Sequence, residues 1–181
     1  MQQYTDDELL EMFQGGDNPD YAFNLIVRKY QEPIYWHIRR LVISHDDAND
    51  VVQDVFVKAW KGLDRFRKKS ALYTWLYRVA TNEALTFLKK RKMRYLLPLT
   101  DVSRQLEETM ESDVYYQGSE MEKQVQKAIL SLPEKQRAVF NLRYYDEMKY
   151  EDMAEIMGTS VGALKASYHH AVKKIEKYVG T

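Results

Sequence analysis

At 181 residues with no cysteine, the chain has room for one ordinary domain or two small ones and forms neither disulfides nor thiolate metal sites. No stretch approaches the ~18 consecutive apolar residues of a membrane span, and the acidic start, Met1 to Glu11, lacks a signal peptide's apolar block, so a cytoplasmic protein is expected. Lys+Arg and Asp+Glu balance at 27 each, but in blocks: residues 1–60 carry −6, 61–96 carry +9, 97–122 carry −6 and 123–181 carry +3.

Blocks of alternating sign point to different partners for different segments. An acidic block suits a basic protein surface, and a basic block suits nucleic acid.

Thr5-Asp6-Asp7-Glu8 has the capping-box pattern. It predicts a short helix carrying Leu9, Leu10, Met12 and Phe13 and stopping at Gly15-Gly16. Asn18-Pro19 reads as a cap followed by proline at the first helical position. The helix it opens carries Ala22, Phe23, Leu25, Ile26 and Tyr30. Pro33 is expected to open a third helix, with Ile34, Ile38, Leu41 and Val42 inward. Ser44-His45-Asp46-Asp47 reads as a turn. From there to Leu63 runs a helix with Val51, Val52, Val55, Phe56, Ala59 and Trp60 apolar and Asp46, Asp47, Asn49, Asp50, Gln53 and Asp54 polar.

Residues 64–96 are the most informative stretch. A basic loop, Arg65-Phe66-Arg67-Lys68-Lys69-Ser70, runs into a helix that ends on Lys89-Lys90-Arg91-Lys92. Leu76, Ala80, Ala84, Phe87 and Leu88 form an apolar stripe that can face a core. Trp75, Arg78, Asn82, Thr86 and Lys89 recur at helical spacing on a second stripe, with no core duty. Cations interleaved with aromatics suit an unpaired nucleic-acid strand, where flat rings replace lost base stacking at about 1–3 kcal/mol per base. For any single residue here, a core aromatic or a solvated cation is the simpler reading; the set argues otherwise.

Pro98 ends that helix. Residues 98 to about 118 are acidic and lack a sustained apolar period, which reads as a flexible linker of roughly twenty residues. Val125, Ala128, Ile129 and Leu132 begin a second helical domain, and Ser131-Leu132-Pro133-Glu134 starts its next helix with Ala138, Val139, Phe140 and Leu142. Tyr150 to Met157, Gly158-Thr159-Ser160 and Val161 to Tyr178 then make a helix-turn-helix. Gly158 can end its first helix left-handed, and Ser160 can cap the second. Val161, Leu164, Tyr168, Val172 and Ile175 are expected inward. Gly162, Ala163, Lys165, Ala166, His169 and Lys173 are expected outward, where the start of a recognition helix meets base edges.

No strand is expected, because β-branched residues fall at helical spacing and turn chemistry is sparse. The fold class is all-α, with two small helical domains over residues 1–96 and 122–181 and the acidic linker over 97–121. Catalysis has no visible seat. His37, His45, His169 and His170 do not make a ligand set, and there is no Gly-rich phosphate loop or nucleophile motif. No cofactor and no enzyme activity are expected.

The motifs together resemble the extracytoplasmic-function (group IV) sigma factors of the sigma-70 family, over nearly the whole chain. Asp46-Asp47-Ala48-Asn49-Asp50-Val51-Val52-Gln53-Asp54-Val55-Phe56 is similar to the family's helix that docks on the clamp helices of polymerase β′. The resemblance implies core polymerase contacts at Asp50, Gln53, Asp54 and Phe56. Leu63-Asp64-Arg65-Phe66 and Tyr73 to Asn82 resemble the segment that opens and reads the minus-ten element. There Phe66 and Asn82 match residues that hold a flipped base, and Arg67, Lys68, Lys69 and Ser70 match the loop of that pocket. With Trp75 and Arg78 of the free stripe they form the expected minus-ten set.

Leu132-Pro133-Glu134-Lys135-Gln136-Arg137 and Tyr150 to Ala171 resemble the region that reads the minus-thirty-five element. Its expected contacts are Arg137, Ser160, Ala163, Lys165, Ala166, His169 and His170. The resemblance implies core RNA polymerase (β′ clamp helices and β flap), promoter DNA and an anti-sigma factor as partners, with no small-molecule substrate. The competing reading is a self-sufficient helix-turn-helix regulator; a metal-dependent helical enzyme is a third.

Overall fold

A computed structural model describes residues 4–16, 18–95, 99–116 and 118–180. Among them only helices and turns occur. The caps fall where the sequence puts them. Thr5 accepts from the Glu8 amide and Glu8 returns the bond, closing a capping box on α1 (Asp6–Gln14). Asn18 caps α2 (Pro19–Val42), and Ser44 caps α3 (His45–Leu63). α4 (Leu72–Tyr95) follows the basic loop.

Pro33 does not open a helix. α2 runs through it. The physical reason is burial on both sides: Ile26 before it and Ile34, Ile38 and Leu41 after it are fully buried on one face. Proline inside a helix costs about 3 kcal/mol, and burying four such side chains at roughly 1.5–3 kcal/mol each outweighs it.

The helices α1–α4 close a core of Leu9, Leu10 and Phe13 from α1, Val51, Val55 and Ala59 from α3, and Leu76, Ala80, Ala84 and Leu88 from α4. Phe87 of the apolar stripe is only half-buried. Trp60, one of the apolar residues of α3, sits at the rim edge-on to Phe13 and Phe23, with ring centroids 5.1 and 5.0 Å away.

The acidic segment carries an element that its composition hides. Leu99–Glu111 is a helix, α5, followed by a short 3₁₀ turn at Val114–Tyr116. Leu106 and Met110, one turn apart, pack with Ile43 and Leu130. In sequence Leu99, Val102, Leu106 and Met110 recur at spacings of 3, 4 and 4, a helical period that the surrounding acids mask. The expected element at Pro98 lies outside the described residues.

The second half contains α6 (Glu120–Leu130), α7 (Glu134–Tyr144), α8 (Tyr150–Met157) and α9 (Val161–Val179). Gly158 ends α8 at φ 62°, in the left-handed region that favours glycine. Ser160 Oγ accepts from the Ala163 amide at 3.2 Å and starts α9. Ile129, Leu132, Phe140 and Ala171 form a local core.

The two halves also share apolar packing. α8 lies on α4 and α7 on α2, so Met153, Ile156 and Leu142 join the first core. The end of α2 is completed by groups from later in the chain. Tyr116 Oη donates to the Arg39 carbonyl at 3.3 Å, Asn141 Nδ2 to Arg40 at 3.4 Å, and Arg137 Nη2 to Leu41 at 3.2 Å. The last carbonyl, of Val42, accepts from the Ser44 amide at 2.9 Å. Arg39 O also accepts from the Ile43 amide at 2.9 Å, so all four carbonyls of that terminus have a donor.

Candidate nucleic-acid interface

The basic loop leaves α3 by a tight turn. The Phe66 amide donates to Leu63 O, and the Arg65 amide to Gly62 O, each at 3.1 Å. Gln14 of α1 reaches across and donates from Nε2 to Leu63 O at 2.9 Å and to Phe66 O at 3.0 Å. Phe66 is thus held by its main chain, and its ring lies 5.3 Å from that of Trp75, tilted by 51°. Trp75 in turn packs on the bare Cα of Gly62. A Cβ there would stand 2.9 Å from Trp75 Cζ2, so glycine is what lets the indole lie flat.

Around this aromatic pair opens a cavity of about 670 Å³ lined by Gly62, Arg65, Phe66, Arg67, Lys69, Ser70, Trp75, Arg78 and Glu155. It is of ordinary ligand-pocket size. Its chemistry is two rings and four cations, fit for bases and phosphates of an unpaired strand. The structure therefore brings together Phe66, Arg67, Lys69, Ser70, Trp75 and Arg78 of the sequence-expected set. Trp75 is half-buried rather than free, because it braces the loop as well as facing the cavity. Asn82 is exposed on the same helix, about one turn beyond Arg78. It is not among the lining residues.

Lys68 faces the other way. At φ 50°, it aims its ammonium at α1, 2.9 Å from Asp7 and 3.6 Å from Glu11. The bond to Asp7 raises the Lys68 pKa. Arg65, part of the expected loop but not of the expected contact set, lines the cavity, and Gly62, Gln14 and Glu155 are site residues that the sequence did not point to. Gln14 and Glu155 carry no local signal, since only tertiary packing brings them to the loop.

A second surface lies on α9. Ala163, Lys165, Ala166, His169 and His170 are all exposed, as expected, and no atom lies within 4 Å of where a Gly162 Cβ would be. Small residues at the start of a helix allow close approach to a groove. Ser160 is exposed but engaged in capping. Arg137 departs from the expectation. It is 1% exposed and donates to Leu130 O as well as Leu41 O, because α7 turns its side chain into the junction with α2. Burial lowers its pKa to about 10, which leaves it charged at neutral pH.

A third surface is the polar side of α3. Asp50, Gln53 and Asp54 are exposed on one face, and Val57 continues it at 53% exposure. Phe56 is not on that face. It is 9% exposed and packs edge-on to Phe23 at 6.4 Å, because its position follows Val55 onto the core side. Among the described residues no three His, Cys, Asp or Glu are grouped to hold a metal, and no helix is long and apolar enough to cross a membrane.

Comparison with known proteins places these surfaces in a family context. The family model described as Sigma-70 region 2 matches residues 26–94, and that described as Sigma-70, region 4 matches residues 122–175. The ECF RNA polymerase sigma-E factor of Haemophilus influenzae is 35% identical over 188 residues, spanning 98% of this chain and 97% of that protein. The RNA polymerase sigma-H factor of Pseudomonas aeruginosa is 37% identical over 97% of this chain and 94% of its own. The ECF RNA polymerase sigma-E factor of Escherichia coli is also 37% identical, over 98% and 96%. Among solved structures, CnrH in complex with the cytosolic domain of CnrY superposes with a TM-score of 0.70 at 23% identity, over 97% of both chains. The sigma factor RpoE in complex with the anti-sigma factor NepR from Bartonella quintana gives 0.67 at 24%, over 88% of this chain and 97% of that one.

Proposed function

The chain belongs to the extracytoplasmic-function group of the sigma-70 family, and from that premise we propose how its surfaces divide the work of promoter recognition. It is an RNA polymerase sigma factor: it associates with core polymerase, recognises and melts promoter DNA, and directs initiation. Sigma factors are regulatory and non-catalytic, so phosphodiester chemistry stays with the polymerase.

The minus-ten strand enters the cavity beside the loop. Phe66 and Trp75 take bases, while Arg67, Lys69 and Arg78 hold phosphates. Asn82 extends the track along α4, and Ser70 lies at the cavity wall. On α9, Ala163 and Ala166 admit the helix to the major groove of the minus-thirty-five element, flanked by Lys165, His169 and His170. Asp50, Gln53 and Asp54 face the β′ clamp helices, Phe56 supports them from beneath, and the second half meets the β flap. An anti-sigma factor binds the free chain, as NepR binds the sigma factor RpoE of Bartonella quintana. The setting is cytoplasmic.

The observation that carries this reading is the Phe66–Trp75 pair, 5.3 Å apart, inside a cavity lined by four cations. A duplex-only regulator has no use for rings presented to an unstacked base. The test is run-off transcription from a genomic promoter library with and without core polymerase, beside duplex binding by the chain alone. Specific transcripts with core and weak binding without it are expected. Tight, sequence-specific duplex binding alone, with no promoter-specific transcripts, would sink the reading.

A further inference from the structure

The first helix, α1, lies outside both family-matched stretches, which begin at residue 26. It nonetheless grips the base-facing loop at two points. At one end Gln14 Nε2 donates to Leu63 O and Phe66 O, at 2.9 and 3.0 Å. At the other, Asp7 and Glu11 hold Lys68 at 2.9 and 3.6 Å. Lys68 sits at φ 50°, a backbone state that lysine rarely adopts unaided and that needs a holding contact. Between the two grips the loop is a thin partition. The nucleic-acid cavity is on one side, and an open cleft lined by Thr5, Asp6, Asp7 and Leu10 is on the other. A partition open on both sides keeps its shape only if something fixes its ends.

We infer that α1 is a bracket that sets the geometry of the minus-ten loop, with Gln14 as a positioning residue and Lys68 as an anchor to protein in place of a phosphate contact. This rests on the reading that the loop meets the minus-ten strand. Gln14 does not touch the base and acts through the Phe66 main chain. Lys68 already has its counter-charges, so a phosphate reaches it only by displacing Asp7 and Glu11.

The experiment uses the full chain with core polymerase on a promoter found by the transcription screen. Opening is read by permanganate footprinting across a salt series, and the free chain is digested with trypsin, which cuts at the loop's Arg and Lys residues. Gln14→Ala should lower opening roughly tenfold, from two lost hydrogen bonds, and speed cleavage in the loop. Lys68→Ala should lower opening while leaving the salt slope unchanged, whereas Arg67→Ala reduces that slope by about 0.7, the value for one single-strand phosphate. The swap Asp7→Lys with Lys68→Asp should restore opening; because it removes a tryptic site, it is read by footprinting alone.

A reduced salt slope in Lys68→Ala, or no rescue by the swap, would show Lys68 on phosphate and overturn the anchor. Unchanged loop cleavage in Gln14→Ala would overturn the bracket. Phe66→Ala separates the two levels. Normal opening in that variant defeats the base-holding reading, while the trypsin arm still decides the bracket without DNA.

Discussion

Arg137 of α7 donates from Nη2 to the carbonyl of Leu41, 3.2 Å away at the end of α2 and 96 positions earlier in sequence. That bond spans the junction of the two halves. A buried carbonyl left without a donor costs about 1–3 kcal/mol, and Arg137→Ala takes the side-chain donor from Leu41 O. The guanidinium's own desolvation is relieved by the change, so the net loss should be about 2 kcal/mol, near the middle of that range. Urea unfolding of the free chain should show a lower midpoint. A variant with unchanged stability and a selective loss of minus-thirty-five-dependent transcription would instead return Arg137 to DNA.

Glu155 of α8 borders the cavity that Arg65, Arg67, Lys69 and Arg78 line. A carboxylate there repels an incoming phosphate and competes for the same cations. Glu155→Gln keeps the shape and removes the charge. Binding of the promoter's non-template single strand by the free chain should then tighten by a few-fold, about 1 kcal/mol at low salt, the scale of one partly screened charge. The gain should shrink as salt rises. Fluorescence anisotropy with a labelled strand measures it, and unchanged or weaker binding would mean the acid does not guard the cavity.

Much of this architecture is legible in the sequence because caps and periods are local. Thr5, Asn18, Ser44 and Ser160 start helices where their side chains accept backbone amides. The misses share one cause. Pro33 is overridden by Ile26 and Ile34 packing on both sides of it. α5 is the exception: its stripe of Leu99, Val102, Leu106 and Met110 is local and was masked by the acids around it, and Leu106 and Met110 seat it against Ile43. Arg137 reads as a surface cation until α2 supplies its buried acceptor. In the cavity, Phe66, Arg67 and Trp75 were visible because loop and helix adjoin in sequence. Gln14 and Glu155 arrive from distant helices, so no spacing announces them.

Gly62 shows how close that cavity is packed. A Cβ at this position would lie 2.9 Å from Trp75 Cζ2 and 3.2 Å from Cη2. Two effects oppose each other in Gly62→Ala. Alanine is better than glycine in a helix by about 0.8–1.0 kcal/mol, and overpacking a ring costs about 1–3 kcal/mol. The indole is also packed against Phe66, so the clash should win, with a net loss of roughly 1 kcal/mol. Opening at the promoter should fall with it as Trp75 is pushed toward the cavity. A variant more stable than the parent, with normal permanganate reactivity, would mean that the ring yields freely.

The acidic face of α3 offers the sharpest test of the polymerase contact, because its residues have no competing structural duty. Asp47, one turn earlier, is tied to Arg91 at 2.8 Å, but Asp50 and Asp54 are exposed. Surface substitutions of that kind usually move stability by no more than about 0.5 kcal/mol. Asp50→Lys with Asp54→Lys should therefore leave the melting curve close to the parent. Against a basic partner surface the same change costs steering and contact energy together. Affinity for core should fall by tenfold or more, about 1.4 kcal/mol, chiefly through slower association at low salt. Val57, exposed beside them, supplies an apolar contact that salt does not screen, so Val57→Asp should weaken binding at every ionic strength. Glu32→Lys, an exposed reversal on α2, controls for net charge alone. If the α3 pair and Glu32→Lys weaken core binding equally, the effect is long-range charge and this face is not the interface.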